Sequence, residues 1–250
     1  MSKKAIGIDI GGTGIKGALV DVKSGSLIGE RVRLETPAGG LPKDIAAVVK
    51  KIVDQLSGER SGVPVGICFP AVVKNGITMS AANVDKSWIG LEAQSLFEQE
   101  LGHAVHMLND ADAAGVAEMK FGAGRKVEGL VFMSTLGTGI GTALFINGEL
   151  VPNTELGHLE IDGVDYESKA AYSAKERENL SFAEWAARLQ KYYDTVERLF
   201  NPDLIIVGGG ISKQHNEFLP LLNLKARILP AAKKNNAGIL GAAALAYKNR

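Results

Sequence analysis

The sequence predicts an α/β protein built from two similar halves, and three observations carry that prediction. The first is a repeat. Gly12-Thr13-Gly14-Ile15-Lys16-Gly17-Ala18-Leu19 overlays Gly137-Thr138-Gly139-Ile140-Gly141-Thr142-Ala143-Leu144 with six identities in eight positions, at an offset of 125 in a chain of 250 residues. The second is that each copy comes after an apolar run, residues 6–10 in one and 130–133 in the other, so both read as strand, tight glycine turn, strand. The third is that apolar runs of strand length alternate with segments of helical period, the pattern of a mixed α/β fold.

Taken in order, residues 5–10 and 15–22 read as strands, 27–33 as a third antiparallel strand and 37–42 as a loop. Ile45, Val48, Val49, Ile52, Val53 and Leu56 fall on one helical face. Residues 63–69 form a buried strand ending at Pro70, and Lys74-Asn75-Gly76 is a turn. The polar stretch 80–88 carries Asn83, Asp85, Lys86 and Trp88, a composition that suits a sugar, with an amide and a carboxylate for hydroxyls and an indole for the ring face. The competing reading is a surface loop with a half-buried tryptophan.

A helix is expected over 91–101 and a short strand over 104–108, which runs directly into Asn109-Asp110-Ala111-Asp112 and a helix over 111–121. Asp and Asn at a helix start are commonly caps. The carboxyl end of a strand is also where α/β proteins place chemistry. A cap does not need two aspartates, so one can stay at the cap while the other faces a cleft.

The second glycine turn spans 134–142, with a strand over 143–146 and the turn Asn147-Gly148 after it. Glu155 and His158 stand at i, i+3 with Gly157 between them. That glycine argues against the regular helix a di-iron bundle requires, so the two are read as a hydrogen-bonding pair for a polar ligand. Phe182, Trp185, Ala186, Leu189, Tyr193, Val196 and Phe200 mark an amphipathic helix over 181–200. A buried strand over 204–207 leads into Gly208-Gly209-Gly210, where a flat group can lie against backbone, and an alanine-rich helix closes the chain over 238–247.

Composition narrows the classes. Lys+Arg and Asp+Glu both number 28, so nothing in the charge calls for nucleic acid. One cysteine, Cys68, excludes a disulfide framework and reads as strand filler. No signal peptide is evident and no apolar run reaches the ~18 residues of a membrane helix, so a cytoplasmic protein is expected. Gly12-x-Gly14-x-x-Gly17 fits the dinucleotide fingerprint, but the residues after Gly17 read as strand and turn rather than the helix that fingerprint opens. No G-x-x-x-x-G-K-[ST] occurs. The glycine turns read instead as phosphate cradles of N–H groups and a threonine hydroxyl. Asp9 is placed beside the first to hold magnesium, directly or through water.

With these pieces assembled, the chain resembles the ROK family of sugar kinases over nearly its whole length, and within it the polyphosphate-dependent glucokinase branch. The resemblance rests on Asp9-Ile10-Gly11-Gly12-Thr13, on Leu108-Asn109-Asp110-Ala111-Asp112-Ala113-Ala114 and on Leu136-Gly137-Thr138-Gly139-Ile140-Gly141. Glu155-Leu156-Gly157-His158 and Asn201-Pro202-Asp203-Leu204-Ile205-Ile206-Val207-Gly208-Gly209-Gly210 complete it in the same order. Ser80-Ala81-Ala82-Asn83-Val84-Asp85-Lys86-Ser87-Trp88-Ile89-Gly90 and Pro152-Asn153-Thr154-Glu155-Leu156-Gly157-His158 are the segments that resemble the polyphosphate branch.

The resemblance implies a duplicated RNase H-like, actin-like fold of two lobes with mixed five-stranded-type sheets flanked by helices and the site between the lobes. The lobes are expected over 1–109, completed by 237–250, and over 110–236. Asp110 is implied as general base on the sugar 6-hydroxyl, with Asn83, Asn109, Glu155, His158 and Glu167 holding glucose. Asp9, Gly11, Gly12, Thr13, Lys16, Thr138 and Gly139 would line the phosphoryl donor and its magnesium, and Gly209 and Gly210 would face adenosine where ATP serves as donor. Glucose, with mannose as a second sugar, inorganic polyphosphate or ATP as donor, and a homodimer are the implied partners, with no membrane or nucleic acid. A strictly ATP-dependent hexose kinase is the near alternative, and an actin-like regulatory ATPase without sugar is the alternative of another class.

One segment departs from the family pattern. Many ROK proteins carry C-x-C-G-x-x-G-C-x-E after the histidine, whereas Ile161-Asp162-Gly163-Val164-Asp165-Tyr166-Glu167 has no cysteine. No structural zinc is therefore expected. Lys16, Lys86, Lys213, Lys225, Arg227, Lys233 and Lys234 are candidates for a basic polyphosphate track, each with solvated surface charge as the competing reading.

Overall fold

The computed structural model describes residues 3–58, 62–81 and 84–250. The chain divides into two units, Met1–Lys120 with Asn236–Arg250, and Phe121–Asn235. The C-terminal segment thus returns to the first unit. The division falls after Lys120 rather than after residue 109, because the helix that begins at Asp110 goes with the first unit.

In the first unit the elements run β1 (Lys4–Ile10), β2 (Gly14–Asp21), β3 (Ser26–Glu35), α1 (Pro42–Ser57) and β4 (Val65–Phe69). A small hairpin, β5 (Val73–Lys74) and β6 (Ile77–Thr78), precedes α2 (Ala93–Leu101), β7 (Val105–Asn109) and α3 (Asp110–Phe121). The sheet order is β3-β2-β1-β4-β7, with the first three strands antiparallel and β1, β4 and β7 parallel. Pro42 opens α1, where the missing N–H costs nothing, and Ile45, Val49, Ile52 and Val53 bury its apolar face.

The C-terminal helix (Ala237–Lys248) lies on the other face, held by backbone-to-backbone approach rather than by large side chains. A Cβ on Gly7 of β1 would stand 1.9 Å from the Ile239 carbonyl oxygen, and one on Gly66 of β4 would stand 2.0 Å from that of Ala242. Gly241 meets the Ala113 carbonyl of α3 in the same way, at 1.8 Å. Glycines on both partners let the helix sit directly on the elements that carry Asp9 and Asp110.

The second unit repeats the plan. It begins with β8 (Leu130–Leu136), β9 (Ile140–Ile146) and β10 (Glu149–Val151). A two-stranded ribbon, β11 (Glu160–Ile161) and β12 (Val164–Asp165), comes next, then helices α4 (Glu167–Ala170), α5 (Tyr172–Arg177) and α6 (Phe182–Phe200). β13 (Leu204–Gly208) and β14 (Arg227–Pro230) complete it. The sheet order is β10-β9-β8-β13-β14, with the first three antiparallel and β8, β13 and β14 parallel. α6 starts on a capping box of Ser181 and Glu184 and stops at Asn201 in the left-handed region, before Pro202. Trp185, Leu189, Tyr192, Tyr193 and Val196 bury its inner face. The two sheets match strand for strand, which is the duplicated RNase H-like arrangement. The second glycine turn is tighter than expected from sequence, since β8 runs on to Leu136 and β9 begins at Ile140.

Candidate active site

Parallel register brings the acidic residues of the first unit to one sheet edge. Asp9 of β1 pairs with Cys68 of β4, and Cys68 and Phe69 pair with Leu108 and Asn109 of β7. Asp9 and Asp110 therefore emerge at the carboxyl ends of parallel strands, with β4 between them. Cys68 lies buried beneath both. Burial, then the Asp9 and Asp110 carboxylates, push its thiol pKa well up, which keeps it neutral filler rather than a nucleophile.

The helix start resolves which residue caps and which is presented. Asn109 Oδ1 accepts the backbone N–H groups of Ala111 at 2.7 Å and Asp112 at 3.2 Å, and its Nδ2 donates to the Ala71 carbonyl at 3.2 Å. Asn109 is thus the cap, 8% exposed. What it can still offer a ligand is its second amide hydrogen. Asp110, the first residue of α3, is exposed, and its Oδ1 accepts the N–H of the next residue, Ala111, at 2.7 Å.

The two glycine turns share a construction. In the first, Thr36 Oγ1 donates to the Gly11 carbonyl at 2.5 Å and Arg33 donates to the Thr13 carbonyl at 3.3 Å. In the second, the Ser173 backbone N–H donates to the Gly137 carbonyl at 3.0 Å and the Ser173 hydroxyl donates to the Thr138 carbonyl at 2.6 Å. Tying the carbonyls back leaves N–H groups and the exposed threonine hydroxyls for an anion. A hollow of about 340 Å³ opens beside Gly12, lined by Thr36, Pro37, Gly40 and Asp85 among others. Lys16 Nζ stands 3.4 Å from Asp9 Oδ2. Gly238, at the start of the C-terminal helix, leaves room for this carboxylate, since a Cβ there would approach Asp9 Cγ to 3.1 Å.

In the second unit, a 3-10 turn spans Leu156–His158, with Glu155 at its N-cap position and His158 as its last residue, both exposed. Gly157 is required by packing: a Cβ would stand 1.9 Å from the Ile140 carbonyl oxygen. The turn is anchored by Thr142, whose hydroxyl donates to the Thr154 carbonyl and accepts the Leu156 N–H.

His158 is not left to orient itself. Its Nδ1 lies 2.8 Å from Asp165 Oδ2, and the other oxygen of Asp165 accepts the Glu167 N–H at 3.2 Å. Glu167 Oε2 in turn accepts the Ile140 N–H at 2.7 Å, directly after the second glycine turn. Gly139 makes room for that carboxylate, because a Cβ there would meet Oε2 at 2.4 Å. His158, Asp165, Glu167 and the turn that ends at Gly139 are therefore one linked surface, with the Glu155 charge close enough to act on His158. The Asp165 hydrogen bond, with the Glu167 and Glu155 charges behind it, raises the imidazole pKa above its ordinary value against the effect of partial burial.

Asp165 is not among the residues the sequence singles out. The signal that could have found it is Asp162-Gly163, both at positive φ, a two-residue turn that sets Glu160 opposite Asp165 in the β11–β12 ribbon.

Other expected residues land differently. Asn83 lies outside the described residues. Trp88 is core rather than a sugar platform: it is 0% exposed, its indole N–H donates to the Gly40 carbonyl at 2.8 Å, and it packs against Phe69 and Phe97. Asp85 caps the short turn ahead of Trp88 by accepting the Ser87 N–H. Gly209 and Gly210 come after β13 and are exposed, and Gly209 needs its left-handed φ of 87° and its missing Cβ to pass the Leu136 backbone. Arg227 pairs with Leu204 at the amino-terminal end of β14, with Lys225 just before it, at the opposite end of the sheet from the Gly208 turn. Geometry removes these two from a track that starts at the glycine turns.

Residues 5–173 match the ROK family. The chain is 46% identical over 242 residues to a polyphosphate glucokinase of Mycobacterium tuberculosis, covering 96% of this chain and 90% of that protein. It superposes on the crystal structure of the inorganic polyphosphate/ATP-glucomannokinase from Arthrobacter sp. strain KM with a TM-score of 0.90 and 51% identity, over 99% of both chains. A ROK family glucokinase from Streptomyces griseus, solved with glucose and AMPPNP, matches with a TM-score of 0.81 and 25% identity over 98% of this chain and 99% of that one.

Proposed function

The chain belongs to the ROK family, and we propose that Asp110 serves as the general base of a glucose kinase whose donor is held at the two glycine turns. The protein transfers a phosphoryl group from inorganic polyphosphate to glucose, in keeping with its full-length likeness to polyphosphate glucokinases. The observation that carries the residue assignment is the difference at the α3 start: Asn109 is buried and reaches both the Ala111 and Asp112 N–H groups, whereas Asp110, which shares the Ala111 N–H, stands exposed at the carboxyl end of β7 as Asp9 stands near the carboxyl end of β1.

Phosphoryl transfer asks for positioning and charge neutralisation more than for covalent chemistry. Asp110 accepts the proton of the sugar 6-hydroxyl as that oxygen attacks in line. Glu155, His158 and Glu167 hold the remaining hydroxyls, with His158 fixed by Asp165. The N–H groups and hydroxyls at Thr13 and Thr138 receive charge that develops on the transferred group, joined by Lys16.

Asp9 suits magnesium. It is the carboxylate at the first turn, and among the described residues no group of three His, Cys, Asp or Glu side chains forms a closed cage. One carboxylate completed by donor phosphates and water is how magnesium is usually held. Bound there, it would neutralise charge shared between the transferred phosphoryl and the leaving chain.

ATP as a second donor and mannose as a second sugar extend the proposal, supported by the name of the Arthrobacter relative. A homodimer in the cytoplasm completes it; among the described residues no helix is long and apolar enough to cross a membrane. A coupled assay of glucose 6-phosphate formation, with glucose or mannose against purified polyphosphate or ATP, tests the proposal. Turnover of glucose with polyphosphate is expected, and nucleotide hydrolysis independent of sugar would overturn it.

A further inference from the structure

We infer that Arg33 and Arg31 bind the departing polyphosphate chain beyond the transferred phosphoryl group, forming with Lys16 a cationic row across the first sheet. This rests on the polyphosphate donor reading above. Direction comes first. Transfer is in line, so the leaving chain departs on the side opposite the attacking sugar oxygen. In the sheet order β3-β2-β1-β4-β7, the base Asp110 comes after β7 and the metal-binding Asp9 lies near the end of β1. A chain leaving Asp9 away from β7 crosses β2 and then β3, the open edge of the sheet.

Register places cations along that path. Asp9 pairs with Lys16, and Lys16 pairs with Arg33, so the three side chains lie on one face at successive strand spacings of about 4.8 Å. Arg31 stands two residues earlier on β3, where the β2–β3 register shifts, and its guanidinium reaches Asn236 Oδ1 at 3.3 Å, just ahead of the C-terminal helix.

Both guanidiniums are held but not neutralised. Arg33 donates to the Thr13 carbonyl and lies over Gly14, where a Cβ would come within 2.8 Å of it. Arg31 donates to a neutral amide. Among the described residues neither forms an ion pair with a carboxylate. A solvated surface arginine has no reason to be fixed on the carbonyl of a phosphate turn. A forked cation fixed there, with its charge uncompensated, is suited to a phosphate oxygen.

The test measures long-chain polyphosphate binding by titration calorimetry at several salt concentrations, together with turnover kinetics, for the wild type, Arg31→Gln, Arg33→Gln, Arg33→Lys and the double glutamine variant. The double variant is expected to raise both Kd and KM for long-chain polyphosphate about tenfold and to flatten their salt dependence, with KM for glucose within twofold. Arg33→Lys should recover part of the loss. Arg31→Gln leaves the Thr13 contact intact and should still weaken polyphosphate binding, about threefold, which separates a track from mere support of the turn. Polyphosphate Kd and salt slope unchanged in the double variant would overturn the inference. Wild-type protein that binds polyphosphate through these arginines but phosphorylates glucose only from ATP would overturn the donor reading instead. Wild-type protein that binds no polyphosphate would overturn both.

Discussion

His158 and Asp165 form a hydrogen-bonded pair, imidazole Nδ1 to carboxylate oxygen at 2.8 Å, and the same carboxylate holds the backbone of Glu167. The pair leaves His158 Nε2 as the ring nitrogen available to a sugar hydroxyl. Side chains of both residues are about half exposed, 52% and 55%, so solvent screens the charge while the geometry remains. Asp165→Asn should raise KM for glucose about fivefold with a smaller effect on kcat. It should also move the imidazole pKa down, because the Asp165 hydrogen bond is the main cause of its elevation. Folding raises this pKa, so the pair's stabilising contribution is full below the ordinary imidazole value and is lost as pH rises through the raised one. Histidine NMR titration checks the shift. An unchanged pKa in Asp165→Asn would reject the pairing.

Gly157 sits under the Ile140 carbonyl with no space for a methyl group. Gly157→Ala should lift the Glu155–His158 turn off the second glycine turn. The expected result is a KM for glucose raised about tenfold or more and a loss of about 2 kcal/mol in stability, measured by denaturant unfolding. Wild-type behaviour in both would show that the close approach is relaxed at no cost.

The C-terminal helix depends on glycine at three crossings, Gly7, Gly66 and Gly241, each facing a backbone carbonyl closer than any real Cβ contact. Gly241→Ala should lower the melting temperature by roughly 5 °C or more, given overpacking costs of about 1–3 kcal/mol. The helix covers the strands that carry Asp9 and Cys68, so kcat should fall as well. A thermal melt and a kcat measured well below the transition separate the two effects.

Glu167, proposed to hold glucose together with Glu155 and His158, is tied to the second turn through the Ile140 N–H. Glu167→Ala should therefore weaken glucose and slow turnover together, roughly tenfold in each, whereas Glu167→Gln keeps one acceptor and should retain more of both. Steady-state kinetics with each substrate varied in turn distinguishes this from a defect in glucose binding alone.

Much of this architecture is written in the sequence. The two glycine turns stand at identical spacing in the two halves, and each is flanked by strand-length apolar runs, so the duplicated sheets come from local pattern. Glu155 and His158 fall on one short 3-10 turn, as their i, i+3 spacing suggests. Other features depend on partners distant in sequence. Asn109 and Asp110 are equally good caps by composition and both accept the Ala111 N–H, but Asn109 is the buried one, its amide bonded to the Ala71 carbonyl far back in the chain. Trp88 suits a sugar by the polarity of its loop, yet its indole N–H finds the Gly40 carbonyl and its rings find Phe69 and Phe97. The fixing of Arg33 on the Thr13 carbonyl required the β2–β3 register, which alternation of residue types on an exposed edge strand does not specify.

The most direct measurement is kcat for glucose phosphorylation from polyphosphate in the wild type and in Asp110→Asn, with glucose affinity determined by calorimetry on both. Asp110 as general base predicts that the variant binds glucose within a few-fold of the wild type while kcat falls by about a thousandfold. A variant that keeps more than about a tenth of the wild-type kcat would contradict that role.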